Sequence, residues 1–411
     1  MKKIEGNVCA AKGFLASGIA CGLKKVKKDV ALIYSETPCT FAGVFTQNTV
    51  AAAPVVHDRA VVKNSKYVNA IIINSGNANA ATGDQGLKDC EETALYTAKA
   101  LSQLNDELMG TNILVCSTGV IGVPLPIAIL KKGIDLSITE LAHSSKAADD
   151  AATAILTTDK TKKEIAYSVD IDGTTVNIGG IAKGSGMIHP NMATMLSFIT
   201  TDANIDKSTL QKLLGSSIKD SYNMISVDGD TSTNDTVLVL ANGESNCKKI
   251  VEGTNEYKAF KEVFDIVHTY LAKEIVKDGE GAGTFIEMVV EGAKSKDDAK
   301  KLARSVIKSS LVKAAFFGAD ANFGRILCAM GYSGAYFNLE GLDLSFSSKI
   351  GQIKVISKGT PIPFDEILAK QILLEKEVFV LAALEDGIYS ATAWGCDLSY
   401  EYVRINGDYR S

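Results

Sequence analysis

Runs rich in β-branched and aromatic residues, bounded by Gly, Asn or Asp, recur along the chain and predict strands. They cover Asp29 to Ser35, Val68 to Asn74, Ile113 to Ser117, Glu164 to Val169, Thr236 to Ala241, Phe285 to Glu291, Gln352 to Ser357 and Val378 to Leu384. A different period governs Glu256 to Lys277. There Tyr257, Phe260, Val263, Phe264, Val267, Tyr270, Leu271 and Ile275 recur at steps of three or four, a stripe along one helical face. His268 lies just beside that stripe and reads as a packing or surface residue. Leu87 to Leu104, Asp206 to Ser217 and Ser295 to Ser309 read as further helices. Strands and helices mix without strict βαβ alternation. That favours a layered α/β arrangement with mixed or antiparallel sheets over a doubly wound parallel one.

A length of 411 residues predicts two domains. Hydrophobic residues make up 46% and charged residues 22%, which excludes a largely disordered chain. The net charge of −5, without a basic block, gives no general attraction for nucleic acid or an anionic membrane. Apolar runs such as Ala70 to Ile73 and Val378 to Leu384 fall far below a spanning length. The start, Met1-Lys2-Lys3-Ile4-Glu5-Gly6, lacks the apolar stretch of a signal peptide. Eight cysteines are scattered without a CxxC, many among apolar neighbours such as Ile326-Leu327-Cys328. They read as reduced, buried thiols in a reducing compartment, so the expected location is the cytoplasm. Seven prolines and no Ser/Gly/Pro-rich stretch leave no flexible linker visible.

Several familiar motifs fail on inspection. Gly279-Glu280-Gly281-Ala282-Gly283 follows a helix rather than a strand, so it is a poor dinucleotide loop. Asp228 to Asn234 begins like a calcium loop but lacks the sixth-position glycine, and Val239 stands where the bidentate Glu belongs. Gly331-Tyr332-Ser333 lacks the second glycine of a nucleophile elbow, since Ala335 occupies that place. His57, His143, His189 and His268 show no metal-ligand spacing, and no metal or bound cofactor is expected.

The informative stretch runs from Gly179 to Ala203. It opens glycine-rich, passes Pro190-Asn191, and enters an apolar run after Ala193-Thr194. Thr194, at the junction of loop and strand, has two readings. It is a buried strand hydroxyl, or the Ala193-Thr194 bond breaks itself. In the second case Thr194 becomes an N-terminal nucleophile whose own α-amine serves as general base. That amine has an ordinary pKa of about 7.7–8.0, close enough to neutrality to act as a base. Such a nucleophile needs no histidine.

The segments Ala182 to Ile188 and Pro190 to Leu196 closely resemble the ornithine acetyltransferase (glutamate N-acetyltransferase) family of arginine biosynthesis. The resemblance covers almost the whole chain. Thr46-Gln47-Asn48, Ala52 to Val55, Ile73 to Ala80, Thr82-Gly83, Ser117 to Gly122, Ser226 to Asp235, Asn322 to Leu327 and Tyr402 to Ser411 follow in order. It implies autocleavage between Ala193 and Thr194, giving an α segment (1–193) and a β segment (194–411) that associate as a heterotetramer of two α and two β chains. The expected architecture is a mixed α/β, αββα-type layered sandwich with a smaller C-terminal α/β domain at about 290–390. The C-terminal tail is expected to return to the active site.

The resemblance also implies a ping-pong transfer. Thr194 takes the acetyl group from N-acetylornithine and then yields it to glutamate. Thr118 and Gly119 would hold the oxyanion. Thr157, Lys183, Glu280, Asn406 and Ser411 match substrate contacts, with Thr158 open as an alternative to Thr157. Some family members also use acetyl-CoA, and no residue here decides that point. Three departures stand out. Ala321 and Phe323 replace a proline and a tryptophan, Gly283-Thr284 replaces a Thr-Lys pair beside the Glu280 loop, and Ser411 replaces a threonine. Two competing classes remain. One is a related autocleaving aminopeptidase or amidohydrolase, and the other is a binding protein with an inert Thr194.

Overall fold

The computed structural model describes residues 1–104, 113–189 and 195–408. Its first sheet runs Lys2–Ile4, Lys163–Ile171, Thr174–Lys183, Leu196–Thr201, Thr236–Ala241, Val30–Phe45, Val68–Asn77 and Ile113–Val120, with Phe14–Ile19 also on Val30–Phe45. Two neighbouring pairs are parallel, Leu196–Thr201 with Thr236–Ala241 and Val68–Asn77 with Ile113–Val120. The other pairings are antiparallel.

The long strand Val30–Phe45 creates two layers. Its first part pairs with Phe14–Ile19 and Val68–Asn77, and its last part with Thr236–Ala241. The register breaks between Tyr34 and Cys39. The sheet thereby folds over itself. Ile33, Ile71 and Leu114 of one layer meet Phe41, Phe198 and Leu238 of the other. One outer face buries Leu32, Ile72 and Val115 against Ala94, Leu130 and Ile134 of the helices Gly83–Leu101 and Ile127–Thr139. The opposite outer face buries Ile178 and Val239 against Leu213, Phe260, Val267 and Leu271 of the helices Lys207–Asp220 and Asn255–Lys277. This is the expected αββα sandwich. Apolar residues alternate to both faces of every inner strand, so hydrophobic burial on two sides holds the layers.

A second sheet runs Thr360–Pro361, Gly351–Ser357, Asp343–Ser348, Glu377–Ala383, Phe285–Ala293, Tyr389–Cys396 and Ile225–Ser226. Its strand Ile225–Ser226 comes from the segment that follows the helix Lys207–Asp220. That short pairing ties the second sheet to the loop carrying Asp228.

Thr174–Lys183 is a strand despite its glycine pair. A Cβ on Gly179 would lie 2.0 Å from the Asn7 carbonyl oxygen, and one on Gly180 would lie 2.3 Å from Ile199 Cδ1. Both glycines serve close packing rather than a loop. Two cysteines also depart from expectation. All eight are free thiols, but Cys328 is exposed and Cys21 half-buried. Cys328 sits on the outward side of the helix Phe323–Gly331, whose inner face is Ile326, Ala329 and Met330. Among the described residues, no helix is long and apolar enough to cross a membrane.

Candidate active site

The structure brings Thr118, Gly119, Thr157, Thr158, Lys183, Glu280 and Asn406 to one pocket, together with Met195 and Leu196. Thr194, Ala193 and Ser411 lie outside the described residues. Met195, the neighbour of Thr194, is nevertheless in the pocket wall, and its carbonyl accepts a hydrogen bond from the Thr236 amide at 2.8 Å. Lys183 pairs directly with Leu196 across the sheet. The pocket therefore opens where the strand Leu196–Thr201 begins.

One wall is the end of the strand Ile113–Val120. Gly119 has φ +134°, and a Cβ there would lie 2.4 Å from the Gly76 carbonyl carbon. Only glycine fits, because the register opposite shifts at Gly76 and Asn77. The Thr118 hydroxyl makes no hydrogen bond among the described residues, so it is available to a ligand. The wall is braced from behind. Asn234 Nδ2 donates to the carbonyls of Ala78 (2.6 Å) and Ser117 (2.8 Å). Asp58, on the helix Ala53–Asn64, accepts from the Val115 amide at 2.9 Å. Burial raises the Asp58 carboxyl well above the usual range, against only a backbone amide and the Cys116 thiol.

The facing wall is built on charge. Lys163 is fully buried and donates to Asp159 Oδ1 at 2.6 Å and to Asp278 Oδ2. Asp159 also accepts from the amides of Gly184 (2.6 Å) and Thr157 (3.0 Å), and Lys183 Nζ lies 3.8 Å away. Burial alone would raise the Asp159 carboxyl. The Lys183 and Lys163 charges outweigh it and hold the group well below the carboxylate range. Asp278 accepts from the amides of Lys160 and Thr161 at 3.0 and 3.2 Å. One buried ammonium thus joins three segments, 157–161, 183–185 and 278–280, into a single frame.

Glu280 hangs from that frame. Its amide donates to the Ser185 carbonyl at 2.9 Å, and the Ser185 hydroxyl donates to the Asp278 carbonyl at 2.7 Å. The Glu280 side chain is buried, and a Cβ on Gly186 would lie 2.2 Å from Glu280 Oε2. Gly186 leaves room for the carboxylate. Asn406 Nδ2 donates to the same Oε2 at 2.8 Å. The helix Tyr400–Asp408 is docked by Ser399 Oγ to the Gly281 carbonyl (2.6 Å) and by Tyr402 Oη to Asp228 Oδ2 (3.3 Å). This helix places Asn406 in the pocket lining. The Gly283-Thr284 departure is accommodated: both amides donate to Asp397 Oδ1, at 2.8 and 3.0 Å.

Asp228 holds the segment that leads toward Thr194 through the amides of Met187 (2.6 Å) and Ile188 (2.9 Å). The histidines stay outside the pocket. His268 is buried with neither ring nitrogen bonded, packed on Phe264 at 4.4 Å, and burial lowers its pKa to about 3. Asp159, Lys163 and Asp278 escape a reading of the sequence. Lys163 stands in the run Lys160 to Glu164, which looks like a solvated surface segment.

Comparison with known proteins gives the family. The ArgJ family model matches residues 15–411. The arginine biosynthesis bifunctional protein ArgJ of Caldanaerobacter subterraneus subsp. tengcongensis is 49% identical over all of both chains. ArgJ 1 of Clostridium acetobutylicum is 51% identical over 98% of each. Among solved structures, an ArgJ chain of Bacillus halodurans is 42% identical with a TM-score of 0.51, matched over 100% of its own length and 53% of this one. On the family match and these identities, the chain belongs to the ArgJ family.

Proposed function

We propose that the protein is an acetyltransferase of arginine biosynthesis that moves the acetyl group of N-acetylornithine to glutamate through an acetyl-Thr194 intermediate. The carrying observation is the pocket itself. It sets the Thr118 hydroxyl and the positive-φ Gly119 opposite the Lys183 cation and the Glu280 carboxylate, with Asp235 also in the lining, at the start of the strand that follows Thr194. An amino acid bearing both charges matches such a pair, and an acyl transfer needs such donors.

Before transfer, the Thr194 hydroxyl attacks the Ala193 carbonyl, and water completes the cut, freeing the α-amine. The solved Bacillus halodurans relative supports two polypeptides: it covers the share of this chain that a segment starting at Thr194 would occupy. The α-amine then takes the hydroxyl proton as Thr194 attacks the acetyl carbon. The oxyanion is met by Thr118 and the Gly119 amide. Ornithine leaves with the proton, and the glutamate amine attacks the acetyl ester in turn. Lys183 binds the substrate carboxylate. Glu280, steadied by Asn406, binds the distal ammonium, with Thr157 or Thr158 and Ser411 as further contacts. Relatives named bifunctional support a second activity, for which we take acetyl-CoA as donor. The two segments are taken to form an α2β2 assembly in the cytoplasm.

The deciding experiment is Thr194→Ala. It should leave one uncut chain by mass spectrometry and no acetyl exchange between acetylornithine and glutamate. Two chains from the variant would move the cleavage site. Acetate release by the parent protein without glutamate would turn the reading into an amidohydrolase.

A further inference from the structure

Outside the pocket, the helix Lys296–Lys308 presents a second chemical feature. Its inner face is Ala299, Leu302, Ala303, Val306 and Ile307. Lys301, Arg304 and Lys308 recur at steps of three and four on the other side, so they share one face. They line a groove of about 490 Å³, together with the hydroxyls of Ser309 and Ser310 and the ring of Tyr332. That size lies within the roughly 300–1,000 Å³ of small-molecule sites. Among the described residues, no carboxylate lines it. Ser309 and Ser310 open the eight-residue helix Ser310–Phe317, whose N-terminal dipole end adds to the positive field.

The two lysines are little neutralised by their neighbours. Among the described residues Lys301 has one ion-pair partner, the exposed Asp297 of its own helix at 2.7 Å. Lys308 has no ion pair among the described residues. His189 reports the field. Its Nε2 lies 3.4 Å from Arg304, and its pKa is lowered to about 4 by burial and then by the Arg304 and Lys308 charges. Tyr332 is 62% exposed beside these cations, an aromatic face open to a flat ring.

We infer that this groove binds the phosphate groups of an adenine nucleotide, with Lys301, Arg304 and Lys308 on the phosphates and Tyr332 on the base. Two sources share this chemistry. One is the nucleotide end of acetyl-CoA, which rests on the acetyltransferase reading above. The other is a free adenine nucleotide acting as an effector. The groove adjoins the pocket through the backbone, because His189 belongs to the loop that Asp228 holds beside Met187 and Ile188.

The test uses the full-length protein, titrated calorimetrically with adenosine 3′,5′-bisphosphate, ADP and inorganic phosphate. The parent should bind the nucleotides more tightly than phosphate. The double variant Lys301→Glu/Lys308→Glu should weaken nucleotide binding by roughly tenfold or more per lysine. Tyr332→Ala should weaken the nucleotides and leave phosphate unchanged. A KM for acetyl-CoA that rises in the double variant assigns the groove to the coenzyme. Variant-sensitive nucleotide binding with an unchanged KM assigns it to a free nucleotide. Absence of nucleotide binding by the parent, or equal binding by the double variant, overturns the proposal. Acetylornithine–glutamate exchange in the same preparations should be unaffected. Its absence from the parent would count against the proposed function and not against the groove.

Discussion

The two walls of the pocket each rest on a buried carboxylate, and the two are handled in opposite ways. Asp159 is surrounded by Lys163, Lys183 and two amides, so it keeps its charge at full burial. Asp58 is equally buried but meets one amide, a thiol and the edge of His57, so burial pushes its carboxyl well above the usual carboxylate range. A buried acid is charged only where cations are supplied. The wall that would face a charged substrate carries a paired lattice of charges. The wall that would face an oxyanion is braced by amides and by an acid that burial pushes toward its neutral form.

Removing the cation should break the paired wall with the largest effect. Lys163→Met leaves Asp159 and Asp278 buried without their shared ammonium, and should cost about 3–5 kcal/mol in denaturant unfolding. A cost below about 1 kcal/mol would mean that water or another cation already serves both acids. On the neutral wall, Thr118→Val should raise the barrier to transfer by about 2.7–4 kcal/mol, read as a fall in kcat at nearly constant KM. An unchanged kcat removes Thr118 from the oxyanion site.

Glu280→Gln tests what the charged frame is for. It should lower kcat/KM for acetylornithine by about 1.5–3 kcal/mol, and do less to an acetyl donor lacking the distal amine. Equal losses on both donors would reduce Glu280 to a brace for its loop. The smallest effect is expected at the neutral acid. Asp58→Asn exchanges a neutral acid for a neutral amide and should cost under about 1 kcal/mol at pH near 4. The folded carboxyl titrates above the unfolded one, so its contribution is full below about 3.9 and is lost as pH rises through the folded value. The variant lacks that loss. Its stability relative to the parent should therefore improve between pH 4 and 7, in paired urea titrations. A variant that loses ground as pH rises would show that Asp58 is ionised in the folded state.

Much of the sandwich was legible because burial on two faces writes itself into sequence. Thr236 to Ala241 matches its strand to the residue, and Glu256 to Lys277 its helix to within one. The Asp29 to Ser35 run marked only the first part of Val30–Phe45, because Pro38 and the register break hide the continuation. Thr174–Lys183 was missed because Gly179 and Gly180 speak for a loop until the Asn7 carbonyl and Ile199 are placed against them. Most of the proposed contacts could be named from motifs. The frame beneath them could not. Lys163 and Asp278 are 115 residues apart in sequence, and only the tertiary pairing turns a surface-like lysine into a buried one.

The order of strands in the first sheet has a consequence for what a cut at Ala193-Thr194 can do. Leu196–Thr201 and Thr236–Ala241, both beyond the cut, lie side by side in the middle of the sheet. Thr174–Lys183 flanks them on one side and Val30–Phe45 on the other, both from before the cut. The two polypeptides would be dovetailed rather than docked. Neither could leave without unzipping a central ladder on each flank, and neither could form this sheet alone. Severing the chain would free an amine without freeing a subunit, so the halves of one molecule would stay partners for its lifetime.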